Sequence, residues 1–202
     1  MQKDTINKLD RREVVARLLG NREAQYKDGL IVITGLGSPT YDVHAAGDQD
    51  ANFYLWGAMG SAALTGLGLA LARPEQKILV ITGDGEQLMG LGGLATIGVQ
   101  NPDNLSIVVL DNGHYGETGM QPSHTSQGVD LVGIAASCGI ARCLQITEMQ
   151  QVSALAENLF AANGTSLINI AVGTHHHPRS IPALDGVYLK NRIRQRLGLA
   201  IL

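Results

Sequence analysis

The chain has 202 residues, of which 45% are hydrophobic and 4% aromatic, and its formal net charge is −3. This length and apolar fraction predict a single domain, residues 1–202, with a substantial core. The weak negative charge and the absence of a long basic run argue against nucleic acid or an anionic membrane as the main partner.

The sequence predicts neither a targeting signal nor a membrane span. Residues 1–10 are polar and lack the apolar core of a signal peptide. No apolar stretch is both long enough and free enough of glycine to cross a bilayer. Cys138 and Cys143 are too few for a disulfide framework and fit a reducing compartment. Together these features favour the cytoplasm.

Strands and helices are predicted to alternate along the chain. The strands are short apolar runs rich in β-branched residues, and the helices show 3.6-residue periodicity or an abundance of small residues. In chain order, the predicted elements are helix 11–19, strand 30–34, helix 57–72, strand 78–82, helix 87–99, strand 106–110, helix 131–138, strand 142–146, helix 147–163, strand 167–172 and helix 189–197. Gly20 is predicted to end helix 11–19, and Thr147 is predicted to be the N-cap of helix 147–163.

This alternation predicts an α/β fold, namely a doubly wound and mainly parallel sheet with helices on both faces. The continuous apolar character of the strands is typical of strands that are covered on both faces. Ligands of such sheets bind beyond the carboxyl ends of the strands, where polar loops begin at Gly83 and Asp111. The polar stretch 114–128 is longer than an ordinary connection, which indicates a functional loop.

Two of these loop tips carry oxygen ligands. Gly83-Asp84-Gly85 follows one predicted strand, and Asn112 follows the next after an interval of 26 residues, 86–111. A helix and a strand fill that interval, so we expect the two loops to lie side by side. A carboxylate and an amide oxygen suit Mg²⁺, and glycines at a helix start near Glu86 allow backbone N–H groups to approach a diphosphate.

The same residues resemble the cofactor motif of thiamine diphosphate-dependent enzymes. The resemblance implies that Mg²⁺ is bound by the side chains of Asp84 and Asn112 and by the main-chain carbonyl of His114. That family often has two consecutive asparagines, whereas this chain has Asp111 before Asn112. The substitution leaves the ligand position itself unchanged.

A second matching segment is Trp56-Gly57-Ala58-Met59-Gly60. It resembles the family segment in which a bulky apolar residue wedges beneath the cofactor, and this implies that role for Met59. An isolated Gly-Asp-Gly predicts only a turn, and an isolated Met only core packing; their combination with Asn112 favours a cofactor site. The full predicted set of cofactor-binding residues is Met59, Gly83, Asp84, Gly85, Glu86, Asn112, His114, Tyr115, Gly116 and Thr118. For Tyr115 and Thr118, a solvated loop role remains open.

Residues 52–60, 94–98 and 110–119 are similar to the cofactor-binding part of sulfopyruvate and phosphonopyruvate decarboxylases. The similarity covers about residues 10–170 and implies a thiamine diphosphate-dependent lyase that decarboxylates a small 2-oxo acid. The chain departs from that pattern in the loop 35–41 and at the histidines 175–177, which leaves the substrate open. We interpret the histidine segment as a substrate-facing or interface loop rather than a metal site.

The resemblance also implies a missing domain. Enzymes of this family need a second domain, which holds the aminopyrimidine ring and supplies an activating Glu, and the 29 residues before the first strand are too few to form it. We therefore expect a separate pyrimidine-binding, α-type subunit and a hetero-oligomer that also self-associates. The present chain would be the β, cofactor-binding subunit.

Other functions compete with this interpretation. The motif would serve equally a subunit of a thiamine-dependent carboligase or lyase of the acetolactate synthase type. It would also serve a non-catalytic, cofactor-binding regulatory subunit. A nicotinamide-binding Rossmann domain is rejected, because its glycine motif would need Gly or Ala where Thr40 stands.

Overall fold

The computed structural model describes residues 8–27, 29–161 and 163–201. The predicted polar N-terminal segment therefore lies mostly outside the described residues. Within the described part of the chain, the α-helices are α1 (Arg11–Leu19), α2 (Arg22–Tyr26), α3 (Ser38–Ala45), α4 (Ala62–Ala72), α5 (Asp84–Met89), α6 (Gly93–Gln100), α7 (Leu131–Ser137), α8 (Met149–Glu157) and α9 (Gly186–Arg196). None of them is long and apolar enough to cross a membrane.

Six strands form one parallel sheet. They are β1 (Leu30–Thr34), β2 (Asn52–Tyr54), β3 (Lys77–Gly83), β4 (Leu105–Asp111), β7 (Arg142–Ile146) and β8 (Ser166–Ala171). Their order across the sheet is β2-β1-β3-β4-β8-β7, and every neighbouring pair is parallel. Two further short strands, β5 (His114–Tyr115) and β6 (Gln121–Pro122), form a separate antiparallel hairpin. The predicted α/β architecture is confirmed.

Helices cover both faces of the sheet, as the continuous apolar strands predicted. Leu30 and Val32 of β1 belong to one buried cluster, whereas Ile31 and Ile33 belong to another. The first cluster contains residues of α1 and α8, and the second contains residues of α4, α6 and α7. Because successive strand residues point to opposite faces, two cores of this kind require a sheet that is buried on both sides.

Three predicted helices differ most from the observed ones. Helix α4 begins at Ala62 rather than at residue 57, because Gly57 and Gly60 adopt φ values of 71° and 82°. The predicted helix 87–99 is two helices, α5 and α6, separated at residues 90–92. The predicted helix 147–163 is α8, and its cap is Glu148 in a capping box with Gln151, not Thr147.

Helix α4 packs onto the sheet through a glycine. A Cβ placed on Gly66 would lie 2.4 Å from Val80 Cγ2 and 3.2 Å from Leu105 Cδ1, and both of these side chains are buried. Gly68, one-half turn further along the same helix, has nothing within 4 Å of such a Cβ. The two glycines therefore have different reasons to be present, although they share a helix.

We expect Gly66→Ala to lower the free energy of unfolding by about 1–3 kcal/mol, because the added methyl group overpacks the helix–sheet interface. Gly68→Ala is the matched control and should change stability by no more than about 1 kcal/mol, in the stabilising direction. Urea unfolding of both variants measures the difference. Equal effects of the two substitutions would show that α4 does not pack on the sheet at Gly66.

Candidate cofactor site

The pairing of β3 with β4 brings the two predicted loop tips together. Gly83 is aligned with Leu110 in the parallel register, so Asp84 and Asp111 follow at the same edge of the sheet. The hydroxyl of Thr125 lies between them, 3.3 Å from Asp84 Oδ2 and 2.8 Å from Asp111 Oδ1. The two loops are therefore in direct contact through one side chain, as the sequence predicted from their position.

Asp84 is a buried carboxylate with a second carboxylate beside it. Its side chain is 2% exposed, and Ser123 Oγ donates a hydrogen bond to Oδ2 over 2.5 Å. Burial raises the pKa of the Asp84 carboxyl to about 6; the hydrogen bond from Ser123 opposes the shift, and the charge of Asp111 adds to it. No side chain of the described residues donates to Oδ1, and two adjacent carboxylates in a buried place favour a cation.

Asn112 and His114 form a tight turn after β4. The backbone N–H of His114 donates to Asn112 Oδ1 over 2.8 Å, which fixes the amide orientation and leaves this oxygen a second lone pair. In the hairpin His114 is aligned with Pro122 at a non-hydrogen-bonded position, because the neighbouring Ser123 N–H donates to the Gly113 carbonyl, so the His114 carbonyl points away from the partner strand. This pairing therefore leaves the His114 carbonyl available to another donor or to a metal ion.

One cleft contains all the predicted site residues. Its lining includes Met59, Gly83, Asp84, Gly85, Glu86, Asn112, His114, Tyr115, Gly116 and Thr118. Arg11, Ser38 and Pro39 also line it, although the sequence analysis did not select them. Ser38 and Pro39 begin α3, a helix that was predicted as a loop. A common location of this kind is what a shared cofactor site requires.

The glycines of the motif meet different neighbours. A Cβ on Gly83 would meet only Pro39 Cγ, at 4.0 Å, and Gly83 has an ordinary φ of −99°. Protein packing therefore does not require a glycine there, whereas a group bound in the cleft would. A Cβ on Gly85 would lie 2.7 Å from the ring of Tyr115, so Gly85 makes room for this side chain. Tyr115 is itself fixed by a hydrogen bond of 2.6 Å between its hydroxyl and His124 Nδ1.

The side chain of Glu86 makes contacts within the protein. Its Oε1 accepts a hydrogen bond of 3.2 Å from the backbone N–H of Ala62, and its Oε2 accepts one from Thr82 Oγ1. Burial raises the pKa of the Glu86 carboxyl, and the hydrogen bonds from Thr82 and from backbone N–H groups oppose this shift. A backbone role for Glu86 in the cleft is compatible with these side-chain contacts.

Thr118, in contrast, is exposed, and its hydroxyl bonds to Gln121 within the hairpin.

The histidine segment lines a second cavity, which adjoins the cleft and shares Arg11, Ser38 and Asn112 with it. His177 Nε2 lies 2.8 Å from Asp10 Oδ2. In the part of the chain that the structure describes, no three His, Cys, Asp or Glu side chains are grouped to hold a metal ion. The predicted Mg²⁺ ligands are one carboxylate, one amide oxygen and one main-chain carbonyl. Only the carboxylate is a side chain of those four types, so this set is not a group of that kind.

Three polar residues that sequence reasoning missed hold the acidic loop tips. Ser123 and Thr125 belong to the long polar loop and bond to Asp84, and Asn169 of β8 donates to Asp111 Oδ2 over 3.0 Å. Ser123 is fully buried and Asn169 is 5% exposed. Hydroxyl and amide residues in a polar loop or at a strand carry no periodic signal, so only the folded arrangement identifies them.

Sequence comparison places these observations in a family. Residues 39–170 match the family of thiamine pyrophosphate enzymes, in the part described as the C-terminal TPP binding domain. The β subunit of sulfopyruvate decarboxylase from Methanocaldococcus jannaschii is 46% identical over 110 residues, which are 54% of this chain and 58% of that protein. Phosphonopyruvate decarboxylase from Streptomyces viridochromogenes is 40% identical over 146 residues, 72% of this chain and 36% of that protein.

A solved structure shows the same fold. It is a thiamine diphosphate-dependent 4-hydroxybenzoylformate decarboxylase from Rhodococcus jostii, with a TM-score of 0.68 and 18% identity over 87% of this chain and 35% of that one. The chain spans less than two thirds of each of these three proteins. The predicted resemblance is confirmed: the chain belongs to the thiamine pyrophosphate enzyme family and corresponds to its C-terminal, cofactor-binding domain.

Proposed function

We propose that this chain is the cofactor-binding subunit of a thiamine diphosphate-dependent 2-oxo acid decarboxylase, and that a separate pyrimidine-binding subunit completes its active site. The observation that carries the proposal is the joint position of Asp84, Asn112 and the His114 carbonyl on one cleft. When bound, thiamine diphosphate supplies a carbon nucleophile and an electron sink for the loss of CO₂ from a 2-oxo acid.

In this proposal Mg²⁺ is held by Asp84, Asn112 and the carbonyl of His114, and it in turn holds the diphosphate. The donor set fits because all three donors are oxygens, which Mg²⁺ prefers. The cation would also neutralise the adjacent charges of Asp84 and Asp111. Gly83, Gly85 and Glu86 would approach the diphosphate through their backbone, with Tyr115, Gly116 and Thr118 closing the loop side. Met59 would support the cofactor from beneath.

Ser123 and Thr125 orient the metal-binding carboxylate. Both hydroxyls lie against Asp84 Oδ2, at 2.5 and 3.3 Å, which directs Oδ1 away from them. Outer contacts of this kind restrict a ligand to one orientation and commonly change metal affinity by 10- to 100-fold when they are lost. The loop 114–128 would thus contribute to cofactor binding through the carboxylate as well as directly.

The substrate is proposed to be a small acidic 2-oxo acid. The names of two relatives specify sulfopyruvate and phosphonopyruvate. Arg11, Arg179 and His175–His177 line the second cavity and would face such an acid, while Arg11 also pairs with Asp42 and His177 with Asp10. Arg179 also faces Glu117, with 3.7 Å between their charged atoms, so the cavity contains a carboxylate as well as cations.

A separate partner subunit is supported by the relatives. The 110 aligned residues make up similar shares of this chain and of the Methanocaldococcus protein, 54% and 58%, so the two are of similar length. That protein is named a β subunit, which implies a second subunit in its enzyme. In the longer Streptomyces protein, the matched part is only 36% of the chain. The proposed location of the assembled enzyme is the cytoplasm.

We expect Asp84→Ala to abolish the Mg²⁺-dependent binding of thiamine diphosphate, because it removes the charged metal ligand. Isothermal titration calorimetry with and without Mg²⁺ measures this for the subunit and for its complex with the partner. Asp103→Ala removes an exposed acid in a turn and should bind as the wild type does. Equal binding with and without Mg²⁺ in the wild type would rule out the metal site.

We expect Ser123→Ala to weaken the Mg²⁺-dependent binding of thiamine diphosphate by about 10-fold or more, because the Asp84 carboxylate loses its shortest hydrogen bond. Ser137→Ala is the control, since Ser137 Oγ donates to Gly133 within α7. Both variants are titrated in the same buffer after their folding has been checked by circular dichroism. Unchanged affinity in a folded Ser123→Ala protein would contradict the orienting role.

We expect the chain alone to release no CO₂ from sulfopyruvate or phosphonopyruvate, and to release it when the pyrimidine-binding subunit is added. The reason is that the activating Glu is expected on that subunit. The assay follows CO₂ and identifies the organic product. An aldehyde supports the decarboxylase, whereas a longer 2-hydroxy-ketone product would favour the carboligase alternative. Comparable turnover by the chain alone would refute the two-subunit proposal.

A further inference from the structure

The turn that carries Met59 has an irregular backbone. Gly57 and Gly60 both have positive φ values, 71° and 82°, and α4 begins only after this turn. Ser61, at the position before α4, makes no side-chain cap to the helix. The first N–H groups of a helix have no partners within the helix, so an acceptor must come from elsewhere.

Glu86, on a different helix, supplies that acceptor. Its Oε1 accepts a hydrogen bond of 3.2 Å from the backbone N–H of Ala62, and the nearby backbone N–H groups of Gly60 and Ser61 lower the pKa of its carboxyl, against the effect of burial. The other oxygen accepts from Thr82 Oγ1 at the end of β3. Glu86 is 4% exposed. The amide that begins α4, directly after the Met59 turn, is therefore bonded to a buried carboxylate, which Thr82 of β3 holds from the other side.

Two close approaches accommodate this arrangement. A Cβ on Gly35, at the end of β1, would lie 1.3 Å from Glu86 Oε2, so the carboxylate occupies the space that a side chain would fill. A Cβ on Gly90, just after α5, would lie 2.2 Å from the carbonyl oxygen of Gly60. The turn is thus packed against the C-terminal end of α5, and the residue that follows the turn bonds to Glu86 within that helix.

We propose that Glu86 is a positioning residue, which fixes the turn 59–61 and thereby the place at which the Met59 side chain enters the cleft. Glu86 acts through its carboxylate on the backbone of that turn. The consequence for the cofactor rests on the proposed function, in which Met59 supports thiamine diphosphate from beneath. The consequence for Met59 itself does not depend on that function.

The test follows the methyl group of Met59 directly. The chain is labelled with ¹³C at its methionine methyl groups, and the Met59 signal is assigned from its loss in Met59→Leu. We expect Glu86→Gln to shift and broaden this signal, because an amide has one acceptor oxygen, whereas the carboxylate accepts through both of its oxygens, from Ala62 and from Thr82. The signal of Met149, on α8, should not move.

Two further variants act on the same contact from outside Glu86. Gly35→Ala displaces the carboxylate sterically, and Thr82→Val removes the donor to Oε2 while keeping the side-chain shape. Both should move the Met59 signal in the same direction as Glu86→Gln, with a smaller effect for Thr82→Val. Gly68→Ala, which adds a methyl group where nothing lies within 4 Å, is the control and should leave the signal in place.

The outcomes separate the two proposals. A Met59 signal that stays in place in the folded Gly35→Ala and Thr82→Val proteins overturns the positioning role and reduces Glu86 to a helix cap. If the signal moves and the affinity for thiamine diphosphate with Mg²⁺ falls about 10-fold, both proposals are supported. If the signal moves and the affinity is unchanged, Glu86 positions the turn as proposed, and the role of Met59 in the proposed function fails.

Discussion

The parallel, in-register pairing of β3 with β4 is the constraint on which the site depends. It aligns Gly83 with Leu110, so that the two chains leave the sheet at the same level and Asp84 and Asp111 become neighbours. Strand register is strongly specified here, because both strands are buried on two faces and a slip of one residue would reverse every side chain. The packing of the apolar core therefore fixes the distance between Asp84 and Asp111, although neither residue belongs to that core.

The short helix α5 then connects two functions of the cleft. Its first residue, Asp84, faces the hydroxyls of Ser123 and Thr125, and its third residue, Glu86, holds the turn before α4. A displacement of α5 would therefore move the proposed metal ligand and the Met59 turn together. This coupling explains why a six-residue helix is buried over its first four residues, although a helix of this length has little stability of its own.

The sequence predicted the elements that have a local sequence pattern. It did not predict the elements and residues whose role depends on tertiary contacts. Strand 30–34 was predicted with its observed bounds, because Leu-Ile-Val-Ile-Thr is an apolar run rich in β-branched residues. Strand 142–146 was also predicted with its observed bounds, although Arg142 and Gln145 interrupt its apolar character. Strand β2 has three residues and α3 begins with Ser38-Pro39 after two glycines, so neither shows a period. Asp84 and Asn112 were found from their place after strands. Ser123 was not, because its role depends on a hairpin that returns the chain to Asp84.

The glycine content of the chain has a more specific cause than the sequence suggested. The chain has 25 glycines, and a glycine allows the backbone to approach a ligand or another part of the protein closely. At Gly35 and Gly90 the group that approaches is part of the protein, namely the Glu86 carboxylate and the Gly60 carbonyl. At Gly83, by contrast, no protein atom comes closer than Pro39 Cγ at 4.0 Å. Packing therefore leaves Gly83 unexplained, as it does Gly68, but Gly83 lies in the cleft beside Asp84, where its backbone is open to a bound group.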